Sequence, residues 1–205
     1  QWQVTQKKKL KRFKKKFNIL DENCYCDYED LLKNKDIDMV YIALPNSMHQ
    51  KWILKCMDFN KNVLVEKPAL ISLEQAEFVF NNPLFKNIFF GEEFMFRYHP
   101  QIKKVIDSIN INKIGKIISM SSNFGMNLIK KKKLFGFLDK KIDKKKRIFN
   151  KELGGGVIFD LGPYGSSMAL LIASLKKNIN VDNLQIRNLS THNIDDIDVH
   201  SNVEI

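Results

Sequence analysis

The sequence predicts an α/β fold: a doubly wound, parallel sheet that is only partly present, followed by a smaller α+β region. Three observations lead there. Short apolar runs at Asp38 to Leu44, Asn62 to Val65 and Asn87 to Phe90 have the length and composition of buried strands. Segments of helical period lie between them, and strand and helix alternating at this spacing form βαβ units. After Glu92 the alternation stops, and helices separate from later strands.

Taken in order, Gln6 to Phe17 places Leu10, Phe13 and Phe17 at spacings of three and four, predicting an amphipathic helix with a Lys-rich outer face. Tyr28 to Leu32 predicts a helical turn. Asp38 to Leu44, ended by Pro45, predicts a strand buried on both faces. A helix over His49 to Phe59, a strand over Asn62 to Val65, a helix over Ser72 to Phe80 and a strand over Asn87 to Phe90 complete the first part. The second part reads as a helix over Gln101 to Ser108 and a strand over Lys116 to Asn123. A Lys-rich loop, expected to be mobile and near the cleft, covers Lys130 to Lys146, with Phe135, Phe137 and Leu138 as anchors. A helix over Tyr164 to Leu175 and strands near Leu184 to Leu189 and Val199 to Ile205 follow. The division expected is 1–92 for the sheet-bearing part and 93–205 for an open mixed or antiparallel sheet with its helices.

Composition narrows the function classes. With 205 residues and 44% hydrophobic content the chain can bury a core. No stretch approaches the roughly 20 uncharged apolar residues of a membrane span, and the N-terminal region lacks the apolar core of a signal peptide. A cytoplasmic location is expected, with no membrane partner. Cys24, Cys26 and Cys56 are too few and too closely spaced for a zinc knuckle, so reduced thiols and no metal are expected. The net charge of +11 could suit a polyanion, but the lysines fall in plain blocks without interleaved aromatics. A bias toward Lys, Asn and Ile accounts for them as a solvated surface, with attraction of a phosphate-bearing small molecule as the remainder and nucleic acid not expected.

Chemistry concentrates at a few positions. Ligands of doubly wound sheets bind at the carboxyl ends of strands, and here those ends are Pro45-Asn46 and Glu66-Lys67-Pro68, on one rim. Lys67 directly follows an apolar strand; such a lysine either snorkels to solvent or serves a site. Pro68 fixes the backbone beside it, through a cis or trans bond. Gly154-Gly155-Gly156 resembles a phosphate loop but has Phe159 at the third required position and no buried strand before it, so a close-packed turn into a helix is the better account. Asp160 and Tyr164, four apart, either share one helical face toward a cleft or serve as a cap and its packing foot. An ammonium near the phenol would favour phenolate and make Tyr164 a usable base.

These residues together resemble the Gfo/Idh/MocA oxidoreductases. Asp38-Met-Val-Tyr-Ile-Ala-Leu-Pro-Asn-Ser-Met-His49 is similar to the family's strand-to-helix cofactor segment, and Val63-Leu-Val-Glu-Lys-Pro68 to its Glu-Lys-Pro motif. Glu93-Phe-Met-Phe-Arg-Tyr-His-Pro100 with Ile114-Gly-Lys116 is similar to its domain junction. Leu153-Gly-Gly-Gly-Val-Ile-Phe-Asp-Leu-Gly-Pro-Tyr164 is similar to the helix that brings its acid/base residue. Tyr at 164, where the family often has His, is similar to the branch with glucose-fructose oxidoreductase, dihydrodiol dehydrogenase and xylose dehydrogenase, and to certain nucleotide-sugar 3-ketoreductases.

The resemblance implies a Rossmann-type domain over 1–92, a substrate and oligomerisation domain over 93–205, and NADP or NAD as cofactor. It implies hydride transfer to or from a sugar or related polyol, or alternatively reduction of a nucleotide sugar. Lys67, Tyr164 and Asp160 become the catalytic candidates. Pro45, Asn46, His49, Glu66, Pro68 and Arg97 become cofactor candidates, while Arg147 joins Lys67, Asp160 and Tyr164 on the substrate side. Against the family pattern, the first strand, Gly-rich turn and second strand are missing, as are the last sheet strands. The expectation is therefore a chain truncated at both ends, homo-oligomeric when full length and inactive as it stands, with a decayed, non-catalytic relative as the other possibility.

Overall fold

The computed structural model describes residues 2–126, 132–133, 138–139, 143, 145–175 and 185–204. Helix α1 (Trp2–Phe17) leads through α2 (Tyr28–Lys33) to strand β1 (Met39–Ile42), and α3 (His49–Asp58), β2 (Asn62–Glu66), α4 (Leu73–Phe80) and β3 (Phe90–Glu93) follow. The three strands form one parallel sheet in the order β1-β2-β3. Local chemistry sets the helix starts. The Asp27 side chain accepts from Glu29 N–H at the start of α2 and Ser72 Oγ accepts from Gln75 N–H at the start of α4, each satisfying a first-turn donor.

Asn62 fixes the register at the opening of the sheet. Its Nδ2 donates to Asp38 O at 3.0 Å and its Oδ1 accepts from Phe89 N–H at 2.7 Å, so one side chain ties β2 to both neighbours. The core lies on one face of this sheet. Val63 and Val65 are fully buried, paired with Val40 and Ile42, and α3 covers them with Ile53, Cys56 and Met57. Each such side chain contributes on the order of 1.5–3 kcal/mol by leaving water.

Several expectations are corrected here. Strand β1 is buried on one face only: Met39 and Tyr41 are 47% and 52% exposed, because they alternate to the face opposite α3, which packs on the Val40–Ile42 side. β3 starts at Phe90, since residues 85–87 make a 3-10 turn instead of extending. Helix α1 forms, but Phe13 and Phe17 stack on each other and stay more than half exposed rather than joining the core.

In the second part, α5 (Pro100–Asn110) starts on His99, whose side chain accepts from Gln101 N–H, with Pro100 in the first turn. The expected strand over Lys116 to Asn123 does not form among the described residues; Ile118 is 92% exposed, so its side chain gains nothing from packing on a sheet face. Two-residue strands β4 (Lys132–Lys133) and β5 (Leu138–Asp139) pair antiparallel; Phe135, Phe137 and most of the Lys-rich stretch lie outside the described residues. Helices α6 (Val157–Asp160) and α7 (Gly162–Ser174) precede the antiparallel hairpin β6 (Arg187–Ile194) and β7 (Ile197–Glu204), whose turn holds Asp195 at φ 53. Leu184 and Ile205 lie outside the described residues.

Candidate active site

The site is built where β2 ends. Lys67 follows Glu66 at the carboxyl end of the central strand, and the Lys67–Pro68 bond is cis. Two side chains pin the backbone just beyond it: His49 Nδ1 lies 2.9 Å from Pro68 O, and Glu92 Oε1 accepts from Ala69 N–H at 2.8 Å. His49 is fully buried, and its Nε2 lies 2.9 Å from Leu44 O, so one ring brackets the segments that leave β1 and β2. Pro45 opens the turn between β1 and α3, and Asn46 in that turn is buried.

The glycine run brings the later part of the chain onto this rim. Gly154 adopts φ 71, and a Cβ there would stand 2.8 Å from Asn46 Cβ, so only glycine lets the two turns meet. Asn46 Nδ2 donates to Gly154 O at 2.9 Å and closes the contact. The run is thus a close-packed turn into a helix, as its failure to match a phosphate loop predicts.

Four expected site residues converge. The Lys67 ammonium donates to the Asp160 backbone carbonyl, lies 3.6 Å from Asp160 Oδ1 and stands 4.6 Å above the centre of the Tyr164 ring. Arg147 Nη2 donates to the same Oδ1 at 2.6 Å. The Lys67 and Asp160 side chains are only 13% and 11% exposed, whereas Arg147 is 39% exposed. Asp160 is therefore an ion-pair hub for two cations rather than a cap for α7. Phe96 and Phe124 pack on Tyr164 with ring centres at 6.0 and 5.2 Å, completing an aromatic wall.

Two expectations about this group are corrected. Asp160 and Tyr164 do not share one continuous helix: α6 ends at Asp160, Leu161 breaks the run, and α7 leaves at 47° to the segment before it. The phenol of Tyr164 is also shifted upward rather than toward phenolate, by burial first and then by the negative charges of Glu66 and Asp160. The ammonium lies over the ring face, and burial with the two carboxylates decides the direction of the shift.

The remaining candidates sit apart from the four. Glu66 accepts from the Tyr41 hydroxyl on the open face of the sheet. Arg97 donates to Ser167 through Nε at 3.1 Å and Nη2 at 2.8 Å, and lies over Phe94, so it binds the 3-10 turn Met95–Tyr98 to α7. Sequence reading missed Glu92, Ser167, Phe124 and Asp198, because each acts through a contact far away in the chain. Among the described residues there is no group of three or more His, Cys, Asp or Glu that could hold a metal, and no single helix is long and apolar enough to cross a membrane.

A parallel βαβ layer whose strand ends carry an ordered cluster of ionisable groups defines a Rossmann-type α/β domain with its site on the carboxyl rim. Residues 4–82 match the family model of the Gfo/Idh/MocA oxidoreductases, described as having an NAD-binding Rossmann fold. Over these residues the chain is similar to that family. It is 33% identical over 147 residues to D-xylose 1-dehydrogenase (NADP(+)) 2 of Haloferax volcanii, covering 72% of this chain and 41% of that one. It is 29% identical over 156 residues to trans-1,2-dihydrobenzene-1,2-diol dehydrogenase of Xenopus tropicalis, covering 76% and 42%. Among solved structures, a 3-ketoreductase from Actinomadura kijaniata in complex with NADP and TDP-benzene superposes with a TM-score of 0.59 at 30% identity, covering 79% of this chain and 45% of that one. The chain thus spans about two-fifths of the length of these curated relatives.

Proposed function

We propose that these residues form the nicotinamide-facing rim and the substrate-facing wall of an NAD(P)-dependent sugar oxidoreductase. Residues 1–92 supply the first and residues 93–205 the second. The observation that carries the reading is the Lys67 ammonium, nearly buried at the carboxyl end of the central parallel strand and held by Asp160 against Tyr164. The rim fits a nicotinamide riboside: Pro45 and Asn46 end one crossover, Glu66 and Lys67 end the next, and the Tyr41–Glu66 face of the sheet is open. His49 and Pro68 shape that rim from below, and Arg97 buttresses the junction behind it. No glycine precedes Gly91, so none of these residues makes a Gly-rich cradle for a pyrophosphate.

When bound, a nicotinamide supplies or accepts the hydride at a sugar carbon. Lys67 turns from the Asp160 carbonyl to the reacting oxygen and stabilises the charge that develops there. Tyr164, whose raised phenol stays protonated at neutral pH, donates the proton to that oxygen as a carbonyl is reduced and takes it back in the reverse direction. Asp160 holds Lys67 in place, and Arg147, more exposed than either, faces the substrate's polar substituents. The free thiols Cys24, Cys26 and Cys56 accord with a reducing compartment such as the cytoplasm.

A second reading, reduction of a keto group on a nucleotide sugar, is favoured by the superposition on the 3-ketoreductase. Turnover of free aldoses against nucleotide sugars, followed by reduced-nicotinamide absorbance in the full-length protein, separates the two. Lys67→Ala is expected to lower turnover by at least about a hundredfold while dinucleotide binding survives, the scale of losing a charge-stabilising donor. Unchanged turnover in that variant would remove Lys67 from the mechanism.

A further inference from the structure

We propose that Asp198, on the terminal hairpin, is a positioning residue that sets the Lys67 site by capping the helix that carries Asp160. Helix α6 is a single turn, and such a turn has little stability of its own because it fixes several residues for one or two hydrogen bonds. Its first amides need acceptors, and the residue preceding the turn, Gly156, has no side chain to supply one. Asp198 supplies it from 40 residues away: its Oδ2 accepts from Ile158 N–H at 2.7 Å. The carboxylate also lies directly against Gly156, where a Cβ would overlap it, and Gly156 holds φ 114, a conformation L side chains rarely adopt. A negative charge at the N-terminal end of α6 is the favourable sign there.

The two ends of this turn therefore face different parts of the molecule. At its start it is fastened to β7; at its end the Asp160 carbonyl and carboxylate take Lys67 and Arg147. Loosening the start lets Asp160 swing on the break at Leu161 and frees the Lys67 ammonium. The consequence for turnover rests on the oxidoreductase reading, whereas the placement of Lys67 does not, so the test reads the lysine directly.

Reductive methylation with formaldehyde and cyanoborohydride, followed by peptide mass spectrometry, measures how free each amine is. Lys61 is the internal control, because it is buried on the same strand layer and donates to Asn34 O at 2.7 Å without touching the site. Asp198→Ala is expected to speed labelling of Lys67 by about fivefold or more, on the scale of a lost helix cap. Lys61 stays unchanged, and Asp198→Asn, which keeps the acceptor, stays within about twofold of the native rate. Equal Lys67 rates in the native chain and Asp198→Ala, a parallel rise at Lys61, or Asp198→Asn as labile as Asp198→Ala would each overturn the proposal. If Asp198→Ala does not fold, amide exchange in the native chain decides: a slowed Ile158 N–H supports the cap, and exchange as fast as in an exposed loop overturns it. In an active enzyme the same substitution lowers kcat with KM little changed, and Asn restores it.

Discussion

Replacing Asp160 with Asn tests whether the site is held by charge or by shape. The substitution keeps the size of the side chain and leaves the backbone carbonyl that accepts from Lys67. What disappears is one negative charge, 3.6 Å from the Lys67 ammonium and 2.6 Å from the Arg147 guanidinium. At an effective dielectric of about 20, a unit pair at 3.6 Å is worth about 4–5 kcal/mol before desolvation. The Arg147 pair adds at most about 1 kcal/mol, because that side chain is 39% exposed and screened. Burial of Lys67 and Asp160 opposes roughly half of the attraction, so the expected loss is about 2–3 kcal/mol, near the lower end for leaving a buried charge unpaired. In urea this moves the midpoint down by about 1 M. The cost resides in the orphaned ammonium, so Lys67→Met in the Asp160→Asn background should recover most of it. A double-mutant cycle from urea melts is then expected to show a coupling of about 2 kcal/mol. If the two substitutions add to within about 0.5 kcal/mol, the pair is not what holds the site.

Three further outcomes follow from the geometry. The Tyr41 phenol is pushed up to about 12 by its hydrogen bond to Glu66, with burial and the charges of Glu66 and Glu93 adding to it. The fold thus holds that proton more tightly than the unfolded chain does, and the resulting stability is present below about pH 10 and lost as pH rises toward about 12. A phenolate absorbance titration of Tyr41→Phe should lose the last step of the native curve; an unchanged curve contradicts the Tyr41–Glu66 bond. Burial pushes the Cys56 thiol up to about 11, with Lys61 drawing it partly back. A thiol reagent near pH 8 should therefore modify Cys24 and Cys26 and reach Cys56 only on unfolding, and fast reaction of all three would contradict the core. A fluorescence titration of residues 1–205 alone with NADPH should show no micromolar binding, since no glycine precedes Gly91 to form a phosphate turn between a strand and a helix of the parallel layer. Micromolar affinity would mean that the strand-end rim carries the cofactor by itself.

The alternation of apolar runs and helical segments from Met39 to Glu93 was legible because strand and helix periods are properties of neighbouring residues. The same holds for the glycine turn at 154–156. Lys67, Asp160 and Tyr164 were legible as a set because their motifs occur in order, whereas Arg147 lies in none of those motifs; the fold brings the four together. The sequence alone thus determined the parallel layer, its rim and the resemblance to the family, and it named the side chains that the fold brings together.

Tertiary structure decided the rest. One-sided burial of β1 depends on which face α3 covers, and the missing strand at Lys116 to Asn123 depends on what that run packs against. The upward shift of Tyr164 depends on its burial and on where the carboxylates of Glu66 and Asp160 come to lie, which spacing does not encode. The cap that Asp198 gives to α6 and the hold of Glu92 on Ala69 span 40 and 23 residues. Such contacts leave no periodic trace, because an electrostatic field and a hydrogen bond act through space, while a sequence pattern records only what lies along the chain.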